Sequence, residues 1–161
     1  MKFTPLPLLG AYIIELEPHI DSRGSFARTF CVKEFEKQQL VSQFVQISTS
    51  FNPHKGQIRG MHYQEEPHAE TKIVRCTRGA IYDVIVDLRP GSATFEHWYS
   101  VELAMDNNKM FYIPKGFAHG YKTLEDNTEI LYMMDAYYVQ ELAREIEPKA
   151  IYWIGEHGAS S

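Results

Sequence analysis

Short apolar and polar alternations, each bounded by turn residues, run through most of the chain. The segments "AYIIELE", "SFARTF", "FVQIST", "TKIVRCT", "AIYDVIVDL", "EHWYSVELA", "KMFYIP", "GYKTL" and "TEILYMMDAYY" are rich in β-branched and aromatic residues and predict strands. Many short strands of this kind predict an all-β sandwich or barrel. The exception is "VKEFEKQQL", where Val32, Phe35 and Leu40 recur among charged residues and predict a short helix. The tail segment "QELAREIEPK" reads as a second short helix or as irregular chain. No linker, repeat or compositional break interrupts residues 1–161, so one domain is expected.

Alternation also assigns faces. If "IRGMHYQ" is a strand, Ile58, Gly60, His62 and Gln64 share one face, and Arg59 points the other way unless a bulge intervenes near Gly60. In "TEILYMMDAYY" the same rule puts Tyr132 and Tyr138 on one face and Tyr137 on the other, so that two phenols share a cavity.

Composition changes this picture chiefly by exclusion. With 161 residues, 44% of them hydrophobic and 23% charged, the chain is an ordinary globular one able to bury a core. A net charge of −5 without a basic block argues against nucleic acid as a partner; any phosphate-bearing partner must be small and locally clamped. Cys31 and Cys76 lie in unlike contexts, which points away from a disulfide framework or zinc knuckle and toward a reducing cytoplasm. The N-terminal segment is broken by Pro5, Pro7 and Gly10, unlike a signal peptide, and no apolar run is long enough to span a bilayer.

Candidate chemistry concentrates in two places. "GQIRGMHYQEEPHAETKIVRC" sets Arg59, His62, His68 and Lys72, all costly to bury unpaired, beside β-prone sequence. In "YIPKGFAHGYKTL", Pro114, Gly116 and Gly120 surround His119, although a turn needs no histidine to close it. Taken singly, each histidine reads as a hydrogen-bonded core residue, Lys72 as an edge lysine and Arg59 as half of a surface ion pair. Taken together, two histidines that each have a glycine close by point to a shared pocket.

The blocks "DSRGSFARTF", "GQIRGMHYQ", "ETKIVRCTRGAIYDVIVDLRPGSATF" and "FYIPKGFAHGYKTLEDNTEILYMMDAYY" resemble, in order and spacing, the dTDP-4-dehydrorhamnose 3,5-epimerase family of the cupin superfamily. The resemblance implies an all-β fold, a cupin jelly-roll β-barrel with one or two short helices, a homodimer, and no metal or organic cofactor. It implies an epimerase of a nucleotide diphosphate 4-keto-6-deoxy sugar acting at C3, C5 or both through an enolate. His62 occupies the position of the family's base, Lys72 that of the cation at the ketone oxygen, and Tyr132 that of the acid. Arg23, Phe26, Gln46, Arg59, His119 and Tyr138 occupy substrate-binding positions. Asp83 resembles the carboxylate that holds the second histidine, and "PKGFAHG" is expected to be the turn presenting it. Arg28 and Ser48 depart from the family's acidic residue and asparagine. The family's base pairs with an aspartate in a segment that follows "IYW"; here the sequence ends at Ser161 without it, which leaves the partner of His62 open.

Each demand of such a reaction selects a residue type. Removing a carbon-bound proton near neutral pH suits histidine, charge on the ketone oxygen calls for a fixed cation, and a phenol can return the proton. Two other classes are compatible with the residues. In a metal-dependent cupin, His62, Glu70 and His119 would approach an ion, with Gln64 standing where a second histidine of a His-x-His pair is common. A catalytically silent sugar-nucleotide binder would keep Arg23, Arg59 and Phe26 and make little use of His62.

Overall fold

A computed structural model describes residues 1–149. In chain order it forms β1 (Lys2–Pro5), β2 (Tyr12–Glu15), β3 (His19–Asp21), β4 (Gly24–Phe26), α1 (Val32–Lys37), β5 (Gln46–Asn52), β6 (Ile58–Gln64) and β7 (Lys72–Arg78). It continues through β8 (Ala80–Asp87), β9 (Trp98–Ala104), β10 (Lys109–Ile113), β11 (Phe117–Thr123), β12 (Thr128–Met134) and β13 (Ala143–Glu145). A six-stranded sheet has the order β1-β2-β10-β7-β12-β5, and a five-stranded sheet the order β13-β6-β11-β8-β9. From β5 to β13 the chain shuttles between these antiparallel sheets, which is the expected jelly roll. Strands β3 and β4 pair only with each other, as a separate hairpin.

Period-2 alternation decides what enters the space between the sheets. The six-stranded sheet contributes Ile13, Val74, Phe111 and Ile130, and the five-stranded sheet contributes Ile81, Ile85, Leu103 and Phe117. Alternate residues of β2, β7 and β10, namely Ile14, Ile73, Met110 and Tyr112, face outward and are covered by Phe35 of α1. Phe35 has no exposed surface. It explains why so short a helix persists: its apolar face is anchored, while Cys31 at its N-cap makes no side-chain cap bond.

The structure corrects several expectations. Strand β11 begins at Phe117, so His119 is an interior strand residue; the turn ends earlier, at Gly116, whose φ is +85°. Strand β12 stops at Met134, so strand alternation does not carry from Tyr132 to Tyr138. In "SFARTF" only Ser25 and Phe26 are strand. Strand β1 was unsignalled, since Pro5 marks a strand end at a sheet edge where its missing N–H is tolerated. The tail "QELAREIEPK" is only partly as expected: a short 3₁₀ helix at Gln140–Leu142 leads into a strand, β13, which pairs with β6, before the chain turns irregular.

One loop shows how strand β8 is held. Asp87 at its end is fully buried and accepts bonds from Arg89 Nη2 at 2.7 Å, Ser92 Oγ at 2.6 Å and Thr94 Oγ1 at 2.7 Å. Burial alone would raise its pKa, but these donors outweigh it and hold the carboxyl well below the usual carboxylate range. A depressed pKa contributes stability above the unfolded carboxylate's value, near 3.9, that is lost as pH falls toward the folded one. We expect Asp87→Asn to destabilise the fold by about 2–4 kcal/mol at pH 7, because Arg89 loses its partner. Urea unfolding at pH 7 and at successively lower pH should show the difference from wild type shrinking in acid; a constant difference would contradict this account.

Candidate active site

A cavity of about 240 Å³ is lined by residues of both sheets. Arg59 and His62 of β6 and His119 and Tyr121 of β11 enter it from the five-stranded sheet. Ser50 of β5, Lys72 of β7 and Tyr132 of β12 enter from the six-stranded sheet. His119 and Tyr121, two residues apart, point inward by simple alternation, whereas Arg59 and His62, three apart, require an irregularity.

That irregularity is a β-bulge. His62 pairs with His119 and Arg59 with Tyr121, so Gly60 and Met61 together stand opposite Gly120. The extra residue turns Arg59 and His62 to one face and sends Ile58 and Met61 to the outer apolar cluster. Gly60 has φ +95°, and a Cβ there would lie 2.6 Å from the His119 carbonyl oxygen and 2.8 Å from the Gly120 Cα. Only glycine fits that approach.

Buried polar contacts orient the pocket side chains. Arg59 Nε donates to Asn52 Oδ1 at 2.8 Å, and Asn52 Nδ2 donates to the Tyr121 hydroxyl at 3.1 Å. The Tyr121 hydroxyl also lies 3.0 Å from Ser50 Oγ. Asn52, Tyr121 and Ser50 were not anticipated, and Asn52 in "FNPHKG" reads as a turn residue although it is fully buried. His119 Nε2 is bound to Asp83 Oδ1 at 2.5 Å, as the resemblance implied. Asp83 is wholly enclosed and its Oδ2 has no partner among the described residues. Burial raises its pKa, against the pull of His119.

Lys72 Nζ lies 2.8 Å from Glu70 Oε1, both side chains being largely buried. The carboxylate offsets the cost of enclosing an ammonium and fixes its position. Glu70 is therefore engaged by a cation, and the described residues contain no group of three His, Cys, Asp or Glu arranged to hold a metal ion. Tyr132 packs edge-on against His119 with ring centroids 6.2 Å apart, and burial pushes its phenol far up, so it stays protonated. Burial lowers the His62 pKa, Glu145 pulls it back up, and Lys72, His119 and Arg59 lower it again, leaving it below the ordinary histidine value. A neutral imidazole, a fixed ammonium and a protonated phenol thus share one cavity.

Four expected substrate-binding residues do not line this cavity. Arg23 sits on the β3–β4 hairpin with its side chain 88% exposed and paired to Asp21 at 2.6 Å, and Phe26 on the same hairpin is 75% exposed. Gln46, at the start of β5, accepts a bond from the Tyr138 backbone N–H at 2.7 Å. The Tyr138 ring is 62% exposed, because the chain has left β12 before reaching it.

A jelly roll that gathers an imidazole, an ammonium and a phenol in one cavity suits a cupin-type sugar epimerase. The family model described as dTDP-4-dehydrorhamnose 3,5-epimerase matches residues 5–158. The dTDP-4-dehydrorhamnose 3,5-epimerase of Sinorhizobium fredii is 40% identical over 147 residues, covering 91% of this chain and 75% of the relative. The crystal structure of the Bacillus anthracis enzyme of that name, with TDP and PPi bound, superposes with a TM-score of 0.90 at 37% identity, covering 93% of this chain and 87% of that one. The Legionella pneumophila dTDP-6-deoxy-D-glucose-3,5-epimerase, in complex with dTDP-4-keto-L-rhamnose, gives a TM-score of 0.86 at 35% identity, covering 91% and 78%. The chain belongs to the dTDP-4-dehydrorhamnose 3,5-epimerase family, whose members are isomerases.

Proposed function

We propose that the protein epimerises a nucleotide diphosphate-linked 4-keto-6-deoxy sugar at C3, C5 or both, by proton abstraction and reprotonation through an enolate. The observation that carries this reading is that His62 and Tyr132 enter one cavity from opposite sheets, with Lys72 beside them. A sugar ring between the sheets meets an imidazole from one side and a phenol from the other. His62 removes the proton next to the ketone, the Lys72 ammonium stabilises the charge that moves to the oxygen, and Tyr132 delivers a proton to the opposite face. His119, held by Asp83, lines the ring site, and Arg59 suits the diphosphate by its forked donors.

The proposed partner arrangement is a homodimer. Ile20 and Phe26 are 79% and 75% exposed on a hairpin that pairs with nothing else, and the edge strand β5 exposes Ile47 and Phe51 at 63% and 49%. A second copy covering these surfaces brings Arg23 and Phe26 toward a nucleotide, with Gln46 and Tyr138 bordering that end. We place the enzyme in the cytoplasm, where the free thiols of Cys31 and Cys76 persist, and expect neither nucleic acid nor membrane as a partner. Among the described residues no helix is long and apolar enough to cross a membrane.

The test is deuterium wash-in from D₂O into C3 and C5 of dTDP-4-keto-6-deoxyglucose and related nucleotide-linked keto sugars. Exchange is expected; ligand binding without exchange would leave a silent binder instead. Because the His62 pKa is depressed, and protonation removes the base, the acid limb of the exchange profile should fall below the ordinary histidine value of about 6.5. Tyr132→Phe should keep exchange while lowering inverted product by about 100-fold or more, since His62 can return the proton to the face it left. Normal inversion in that variant would remove Tyr132 as the acid.

A further inference from the structure

We propose that Glu145 is the positioning residue for His62: its carboxylate stands across the strand pair to receive the ring N–H turned away from the substrate once the imidazole takes up a proton. The inference rests on the reading of His62 as the base given above. It starts from register, because β13 pairs with β6 so that Glu145 stands directly opposite His62. On one side of this pair Ile146 N–H donates to the Met61 carbonyl at 2.9 Å and Met61 N–H donates to the Ile146 carbonyl at 3.3 Å. Met61 and Ile146 are therefore the pair that exchanges backbone bonds, and His62 and Glu145 are the alternate pair, in which opposed side chains come closest. Opposed residues project to the same face, and for His62 that face opens on the cavity.

The backbone that carries Glu145 is firmly held. Glu65 N–H donates to the Leu142 carbonyl at 3.0 Å, and Arg144 forms an ion pair with Glu65 at 2.6 Å. Ile146 packs into the outer cluster with Met61. Neither ring nitrogen of His62 has a hydrogen-bond partner among the described residues, and His62 and Glu145 are both exposed, so their side chains are free to turn toward each other across the strand pair. The groups that oppose an imidazolium at His62 are Lys72 of β7, His119 of β11 and Arg59 of its own strand. Asp83 and Glu70 are bound to His119 and Lys72. The carboxylate that acts on His62 in the opposite sense is Glu145.

The consequence appears during turnover. When His62 takes the carbon-bound proton, the bond's electrons pass to the enolate beside Lys72 and the imidazole becomes a cation with two N–H groups. One faces the sugar and the other can donate to Glu145, a charge-assisted bond that strengthens as the proton arrives. A base supported in this way is stronger and correctly oriented.

The experiment compares wild type, Glu145→Gln and Glu145→Asp by NMR titration of the His62 ring, assigned by its loss in His62→Gln, and by the pH profile of deuterium exchange. In Glu145→Gln we expect the His62 titration and the acid limb of exchange to move together to lower pH, and the plateau rate to fall about tenfold or more, with dTDP affinity unchanged. Glu145→Asp should recover part of the plateau. An unmoved titration, or a moved titration with an unchanged plateau, overturns the proposal. General damage to the fold would lower dTDP affinity as well. The titration needs no turnover: a wild type that fails to exchange deuterium refutes the reading of His62 as base, whereas an exchanging wild type with an insensitive titration refutes the role of Glu145 alone.

Discussion

Replacing His62 with alanine lowers deuterium exchange into the keto sugar by about 10³-fold or more, while the protein stays folded and still binds dTDP. The magnitude is that of losing a positioned general base. The fold survives because His62 makes no hydrogen bond among the described residues and lines an open cavity, so truncation leaves no buried group unpaired. Binding survives because the ring site is only part of the ligand's footprint. Mass spectrometry of recovered sugar nucleotide, with thermal unfolding as a control, decides the matter. Exchange at more than a few per cent of the wild-type rate would mean that another group removes the proton.

Gly60→Ala is expected to be strongly damaging. Its Cβ would sit 2.6 Å from a backbone oxygen and 2.8 Å from a backbone carbon of β11, neither of which can swing aside, at a φ of +95°. Strain and overpacking together cost about 3 kcal/mol or more. Relief requires β6 and β11 to part, which moves Arg59 and His62 relative to His119, and a displacement of about 1 Å at such a site can cost about 100-fold in rate. Gly56→Ala is the matched comparison: its φ is +84°, but nothing lies within 4 Å of a Cβ there, so only the conformational cost of about 1 kcal/mol applies. Urea midpoints and exchange rates for the pair separate the two contributions. Equal effects at both positions would show that backbone conformation, not the close approach of the strands, makes Gly60 necessary.

Both experiments bear on residues whose prominence in the sequence was unequal. His62 and Lys72 stood out as costly groups in β-prone sequence, and the order of blocks around them suggested the roles proposed for them. Tyr132 was also legible, since alternation along β12 is a local property that places it on one face or the other, whereas His119 was noticed only as a histidine among turn residues and proved to lie inside β11. Asn52 gave no such signal, because its function depends on Arg59 and Tyr121, which reach it from other strands. Tyr138 was paired with Tyr132 by extending a strand beyond Met134, where β12 ends. The tail "QELAREIEPK" carried a helical composition, yet β13 forms because the open edge of β6 offers backbone partners to it.

By itself the amino-acid sequence determined the strand-rich class, the family and the imidazole, ammonium and phenol groups available for proton transfer. These follow from nearest-neighbour spacing and from the order of blocks along one dimension. Only the tertiary structure decided that Arg59 joins His62 through a bulge, that Lys72 is matched by Glu70, and that Glu145 stands across from His62. Those facts depend on the registry between strands far apart in the chain, which is settled by sheet pairing and core packing rather than by any local run of residues.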